Sequence, residues 1–400
     1  VSSLASALTR QYARIPLGMR LGLGPMREAC ERTGHPERAF RAVHVAGTNG
    51  KGSVCAMVES IARAAGLRTG MYTSPHLCRF AERIRVDGQP VTDDALTGLL
   101  TRALDDGPDL SFFETATLAA FFAFREAKVD LAVVEVGLGG RLDATNVIPT
   151  PAAAAITRIA LDHTDRLGAT LEAIAREKAG IAKPGLELLL GEMPASVRAA
   201  IDEVAHQAGA TTTLVGEDPL AGHPGLPGAH QRDNARIAVA LARRIGAGDA
   251  AIARGLSDVR WPGRLERIGN VLLDGAHNPD GARALAAYVA GLGIPPGQVA
   301  LVFGALADKD WSGMLDALAP VATRRVYVTP QAASRGAAAA VDMAARHPGV
   351  TAPSLDAALD GMADPPGLAP ALVVVCGSLV LVGQARARLL GLPRDPPVAL

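Results

Sequence analysis

The sequence predicts an α/β fold with mainly parallel sheets, divided between two domains. Three observations carry that prediction. Short apolar, β-branched runs alternate along the chain with Ala-rich amphipathic stretches, the pattern of strand–helix–strand units. Most of the apolar runs end in glycines or small polar residues, as strands do when they feed a loop at the edge of a parallel sheet. At 400 residues the chain is also longer than one ordinary core organises.

Taken in order, RAVHVAG (41–47) reads as a strand running into a glycine loop. SVCAMVESIARAAG (53–66) reads as the helix that follows, with Gly66 as its stop. RTGMYTSPH (68–76) is a second strand and loop. SFFETATLAAFFAFREAK (111–128) is a helix whose phenylalanines are most simply core. DLAVVEVGLGG (130–140) is a buried strand ending in a glycine turn. AAAAITRIALDHTD (152–165) is a strand and loop, and LEAIAREKAGIA (171–182) a helix. The alternation restarts near Gly269. NVLLDGAHNPDGARALAAYVAGLG (270–293) and QVALVFGALADKDWSGMLDALAP (298–320) each read strand, turn, helix, and RRVYVTP (324–330) and ALVVVCGS (371–378) are two more strand-to-loop transitions. WPGRLERIG (261–269) reads as the hinge. The expected domains are 1–264 and 265–400.

Composition narrows the class. Hydrophobic residues make up 49% and aromatics 4%, which suits a core of Ala, Val, Leu and Gly. Forty basic residues balance forty acidic ones. No long-range field therefore draws the chain to nucleic acid or to an anionic membrane. Cys30, Cys55, Cys78 and Cys376 lack metal-type spacing and read as reduced thiols. The segment VSSLASALTRQYARIPLG has no signal-like apolar core, and the run from Ala371 to Gly383 is shorter than the roughly 18 residues a membrane helix needs. A cytoplasmic protein is expected.

In open parallel sheets ligands collect beyond the C-terminal ends of strands. There the sequence places Thr48–Ser53, Thr73–Ser74, Glu135, Asp162–His163, and, in the second domain, Asp274, His277, Asn278, Gly304, Thr329 and Ser378. A substrate held between the two polar rims is the economical expectation. The stretch GTNGKGS (47–53) departs from the usual G-x-x-x-x-G-K-[ST], because its leading glycine comes two positions late and Gly52 separates Lys51 from Ser53. Its setting of strand, glycine turn and helix still suits a phosphate cradle: glycines let backbone N–H groups face the phosphates, and the helix N-terminus favours their charge. Lys51 can bridge terminal phosphates. The alternative is a plain glycine-rich turn. Glu135 ends an otherwise apolar strand, where a carboxylate is costly unless paired or bound to a cation, and it sits where a Walker-B-type acid would. It could equally be a strand-end carboxylate facing water. His163 gains meaning as a ligand only beside Glu135. By spacing alone Lys178, in a helical stretch, is a solvated surface residue.

Together the motifs form a family signature. GTNGKGS, TSPHL, VEVGLGGRLDATN, LDHTD, EKAGI, HQRDNA, WPGR, DGAHNP and CGS occur in that order. Over nearly the whole chain, from about Gly22 to Ser378, it resembles the dihydrofolate synthase/folylpolyglutamate synthase family of the Mur ligase superfamily, whose own P-loop is the shortened GTNGKGS. The resemblance implies a P-loop ATPase domain followed by a smaller Rossmann-like α/β C-terminal domain that ligates glutamate. It implies that ATP phosphorylates a substrate carboxylate and that the amine of L-glutamate displaces the phosphate. Asn49, Gly50, Lys51, Gly52 and Ser53 would hold the triphosphate, and Asn234, Arg264 and Asp274 would complete the nucleotide site. Ser74 and Glu135 would bind one Mg2+, Glu135 and His163 a second, with K+ as a further activator. Lys178 would be carbamylated. Leu21, Gly22, Phe112, Phe113, Asp143 and Ala144 would line the pterin site, and His277 and Ser378 would take the incoming glutamate. The expected partners are dihydropteroate, reduced folates and L-glutamate, with no nucleic acid and no membrane, and the expected state is a monomer. The chain departs from the family pattern in an extra residue within VIPTPAAAAITRIA (147–160), in the Gly- and Pro-rich segment before Gln231, and in MRLGLGP (19–25), which matches partly. Two competing readings are another Mur-type ligase and a nucleotide switch that does not ligate. The first would need more chain ahead of Gly47 for a UDP-sugar substrate. The second would leave a full second α/β domain unexplained, and the chain has no N-K-x-D base-reading motif.

Overall fold

A computed structural model of the chain describes residues 3–15, 22–216, 223–331, 336–362 and 369–395. It divides into two compact units. The first comprises Val1–Ser74, Ala81–Gly225 and Gln231–Arg260, and the second Pro75–Phe80, Leu226–His230 and Trp261–Leu400.

Among the described residues the first unit's sheet has eight strands: β1 (Arg41–Ala46), β2 (Thr69–Tyr72), β3 (Ile84–Val86), β4 (Gln89–Pro90), β5 (Leu131–Glu135), β6 (Ala153–Ile156), β7 (Glu187–Leu190) and β8 (Thr211–Leu214). Their order is β4-β3-β2-β5-β1-β6-β7-β8. All neighbours are parallel except β2–β3 and β3–β4. β1 lies between β5 and β6, and Val45 pairs with Glu135. Its last five residues are buried, as expected for a strand covered on both faces, where burial replaces alternation. The chain leaves β1 toward β2 on one side, and after β5 it crosses to β6 on the other. The loop after β1 therefore sits at a reversal of strand order, the place where such sheets bind ligands.

The helix Lys51–Ala64 follows β1, and eleven of its residues are buried. It begins two residues before the predicted start, because Gly50 already adopts the left-handed conformation that closes the loop. It packs against the helix Asp249–Asp258. There Gly255 faces the backbone of Ile61 so closely that an added Cβ would collide with it. Gly255→Ala should destabilise the protein by about 1–3 kcal/mol through overpacking, although alanine is the better helix former. A melting temperature at or above that of the wild type would show that the two helices can separate at no cost. The helix Phe112–Glu126 is apolar almost all round and has twelve buried residues, as a fully covered helix should. Ser111 and Glu114 form a capping box at its start.

The second unit's sheet, among the described residues, has six strands: β9 (Glu266–Ile268), β10 (Val271–Leu273), β11 (Val299–Phe303), β12 (Arg324–Tyr327), β13 (Val350–Thr351) and β14 (Leu372–Cys376), in the order β13-β12-β11-β14-β10-β9. Only β9 is antiparallel to its neighbour. Alternate residues of the central strands enter two separate cores. Val299, Leu301 and Phe303 face one, and Ala300 and Val302 the other, so both faces are covered. The stretch read as a hinge is partly structured: Glu266–Ile268 is a strand paired with β10. Pro75–Phe80 is fastened within this second unit. Asp395 Oδ2 accepts from Phe80 N at 2.7 Å, Asp395 N donates to Cys78 O at 2.9 Å, and Gly383 lies directly against the Leu77 carbonyl.

Candidate active site

The loop Gly47–Ser53 is shaped by two glycines with positive φ, Gly47 at 149° and Gly50 at 91°. Space also requires glycine at both positions. A Cβ on Gly47 would strike the Thr157 hydroxyl, and one on Gly50 would strike the Asn234 side chain. The floor of the loop is the exit of β6. Thr48 N and Asn49 N donate to Arg158 O at 2.8 and 3.3 Å, and the Thr157 hydroxyl donates to Asn49 O at 2.7 Å. With Thr48 N, Asn49 N and Asn49 O anchored in this way, the loop presents the first N–H groups of the helix Lys51–Ala64, which have no partner within the helix. The helix His230–Arg244 closes the opposite side. Gln231 Nε2 donates to Ser53 Oγ at 3.2 Å, and Asn234 Nδ2 donates to Gln231 Oε1 at 2.9 Å. Gln231 is 1% exposed and was missed as a site residue. Its spacing from Asn234, three residues on one helix face, was the available signal.

Beside the loop stands Glu135, the last residue of β5, 5% exposed. Its Oε2 accepts from Ser74 N at 3.1 Å, and its Oε1 lies 4.0 Å from Lys51 Nζ. Lys51 also donates to Thr48 O at 3.1 Å. Lys51, Glu135 and the backbone N–H of Ser74 thus meet at one point. His163 starts the short helix Thr164–Leu167 in a left-handed conformation, φ 51°. Its backbone N donates to Asp162 Oδ1 at 2.9 Å, and its ring lies 3.9 Å from the same carboxylate. Lys178 is not the solvated residue its spacing suggests, for it is 5% exposed. Burial, reinforced by the nearby Lys51 charge, pulls its amine down to about 7 against the opposing pull of Asp162 and Asp143.

Among the described residues no group of three or more His, Cys, Asp or Glu side chains could hold a metal by itself. The donors present still suit magnesium. A buried carboxylate and a serine beside a phosphate loop are hard oxygen ligands, few in number, and magnesium binds in that way when phosphates and water complete its shell.

Of the residues expected at the pterin site, Leu21 lies outside the described residues. Gly22 is described, with φ 138°. Phe112 is 2% exposed, with Tyr12 at 5.8 Å and the Arg83 guanidinium 5.4 Å from its ring centre. Phe113 is partly exposed and lies 5.9 Å from Tyr72 and against Gly137. Asp143 is 6% exposed and caps the short helix Ala144–Val147. It accepts from Thr145 N at 3.0 Å, from the Thr145 hydroxyl at 2.5 Å and from Leu138 N at 2.9 Å.

In the second unit, buried Asp274 accepts from Leu265 N and Ala276 N, each at 2.9 Å, while Leu265 is held at φ 48°. Burial pushes the Asp274 carboxyl up, and the Arg264 charge opposes this. Arg264 Nη1 donates to Gly263 O at 3.1 Å. Ser378 accepts from Val380 N at 3.1 Å and caps the helix Leu379–Leu390. His277 Nδ1 lies 2.8 Å from Gly275 O, which makes Nδ1 the protonated nitrogen. Its Nε2 can then donate to a carboxylate only as imidazolium.

A glycine- and lysine-bearing loop, a strand-end acid and a second α/β unit together make up a Mur-type architecture. Residues 45–188 match the Mur ligase middle domain, and residues 263–379 the Mur ligase glutamate ligase domain. The chain belongs to the dihydrofolate synthase/folylpolyglutamate synthase family. It is 37% identical over 389 residues to the Escherichia coli dihydrofolate synthase/folylpolyglutamate synthase, covering 91% of this chain and 90% of that one. It is 40% identical over 387 residues to a probable bifunctional folylpolyglutamate synthase/dihydropteroate synthase of Halobacterium salinarum, covering 86% of this chain but 46% of the relative, so it spans about half the length of that longer protein. Among solved structures, E. coli FolC in complex with DHPP and ADP superposes with a TM-score of 0.88 at 34% identity, over 97% of this chain and 98% of that one. The Yersinia pestis bifunctional folylpolyglutamate synthase/dihydrofolate synthase, complexed with AMPPNP and Mn ion, gives 0.86 at 33%, over 97% and 98%.

Proposed function

We propose that this chain is an ATP-dependent ligase that joins L-glutamate to dihydropteroate, to reduced folates, or to both. The observation that carries the proposal is the meeting of Lys51, Ser74 and Glu135 at the mouth of a phosphate loop, in a chain of this family. A carboxylate is a poor electrophile, and transfer of a phosphoryl group to it supplies a leaving group. The amine of glutamate then attacks, and phosphate departs. The N–H groups of Gly50–Ser53 cradle the phosphates, with Asn49 beside them, and Lys51 compensates the charge that develops during transfer. Ser74 and Glu135 would hold one magnesium ion and Glu135 with His163 a second. Magnesium bound there would offset the negative charge of the phosphates. The carboxylate of a carbamylated Lys178 would add an anion beside them. Asn234, Arg264 and Asp274 border the nucleotide; Gly22, Phe112, Phe113, Asp143 and Ala144 border the acid substrate; His277 and Ser378 take glutamate. The domains divide these tasks, 1–264 mainly for ATP and 265–400 mainly for glutamate, with Asp274 of the second serving the nucleotide. K+ activation and a monomeric, cytoplasmic enzyme belong to the same reading. All four cysteines are free and buried, in keeping with a reducing compartment. Among the described residues no helix is long and apolar enough to cross a membrane.

The test is incorporation of labelled glutamate, run in parallel with dihydropteroate and tetrahydrofolate. ADP should appear only when acid, amine and ATP are all present. ADP release indifferent to the acid, with no labelled product from either, would refute the proposal.

A further inference from the structure

Five of the six residues of β1 are buried, and His44 is the one polar side chain among those five. It is fully buried, 0% exposed, with Nε2 2.8 Å from Thr145 Oγ1. The Thr145 hydroxyl is also 2.5 Å from Asp143 Oδ1. A hydroxyl has one proton and a carboxylate only accepts, so Thr145 donates to Asp143 and His44 donates to Thr145. The ring is therefore the Nε2–H tautomer, and its Nδ1 is a buried acceptor with no hydrogen-bond partner. Burial, with Lys183 adding repulsion, brings the imidazole down to about 3, so it stays neutral across the physiological range. A valine would fill a central strand without stranding an acceptor. Strand packing thus does not account for the imidazole; the donated proton does. A threonine hydroxyl readily turns to nearby backbone carbonyls. The bond from His44 keeps Thr145 Oγ1 between the strand and Asp143 instead, and Asp143 in turn anchors Leu138 N and the start of the Ala144–Val147 turn.

We propose that His44 is a positioning residue for the acid substrate: through Thr145 it fixes the Asp143 carboxylate and the adjoining turn in their binding geometry. The inference rests on the reading given above, in which Asp143 and Ala144 border that substrate. The relay makes no contact with substrate, and its effect is read through the site it shapes.

The experiment compares His44→Leu, His44→Gln and Thr145→Val. The Michaelis constants for dihydropteroate and ATP are measured separately, and amide hydrogen exchange is followed over residues 138–147. His44→Leu should raise the dihydropteroate constant about tenfold, the order expected for one lost hydrogen bond, and leave that for ATP within about twofold. His44→Gln, which places an N–H donor near the Nε2 position, should recover most of the loss. Exchange over 138–147 should speed up in the leucine variant and not in the glutamine variant, while the helix Lys51–Ala64 stays protected in both. Equal behaviour of the two variants would overturn the relay, as would a parallel rise in the ATP constant together with faster exchange in the helix Lys51–Ala64. If His44→Leu does not fold, Thr145→Val leaves the strand intact and should show the same dihydropteroate defect; a wild-type constant there overturns the relay as well. If the unmodified enzyme ligates neither dihydropteroate nor tetrahydrofolate, the functional reading falls, and the exchange comparison still decides whether His44 holds the turn.

Discussion

Glu135→Gln should lower glutamate ligation by roughly 10²–10³-fold while leaving the thermal transition near that of the wild type. The amide keeps the shape of the side chain, and its oxygen can still accept from Ser74 N, which now bonds Oε2 at 3.1 Å. What disappears is the negative charge 4.0 Å from Lys51. In the free protein that charge neutralises the lysine. On the proposed reading the lysine would turn to phosphate during the reaction, leaving the carboxylate to hold a cation. The loss should therefore show as a weakened dependence on Mg2+, with more metal needed for the remaining activity, and nucleotide binding should suffer less than turnover. A metal titration of both proteins at saturating ATP makes the comparison. Wild-type turnover with an unchanged magnesium requirement would remove Glu135 from the site.

The sequence showed the site's main chemistry but not its supports, for physical reasons. A phosphate loop needs glycines, a lysine and a strand–helix junction within a few residues, so it can be read locally. Glu135 stood out because a carboxylate interrupts an apolar run. Lys178 did not, because its burial depends on elements distant in sequence and its helix looks amphipathic in isolation. His44 was hidden for a related reason: a single histidine inside a strand pattern means little until Thr145 and Asp143, about a hundred residues on, are seen beneath it. Gln231 and Asn234 touch the loop from a helix almost two hundred residues away. The β3–β4 hairpin is a different case. Asp87 and Gly88 both have positive φ, at 49° and 79°, the turn that an Asp-Gly pair favours, and that signal was local and readable. Gly47 illustrates the limit of motif spacing: what requires glycine there is its positive φ and the Thr157 hydroxyl packed against it, and neither can be read from spacing.

Lys178→Ala should abolish most ligation, by roughly 10²-fold or more, and small carboxylates such as acetate should restore part of it. The argument begins with protonation. An ordinary lysine near pH 7 is almost entirely ammonium, which cannot add to carbon dioxide. Burial, helped by Lys51, brings Lys178 to about 7, so free amine is available at neutral pH. Addition of carbon dioxide then forms an N–C bond, releases a proton and turns a costly buried cation into an anion. The same shift fixes the direction of the pH effect. Enzyme stripped of carbon dioxide should regain activity with bicarbonate faster at pH 8 than at pH 6, because below about 7 the amine is protonated and cannot react. Lys178→Met separates this role from packing. It keeps the length of the side chain and removes a buried amine, so it should fold at least as well as the wild type and still be inactive. Full activity in Lys178→Met would leave the carbamate without a function. Recovery equally fast at both pH values would show that the buried amine is not the reacting group.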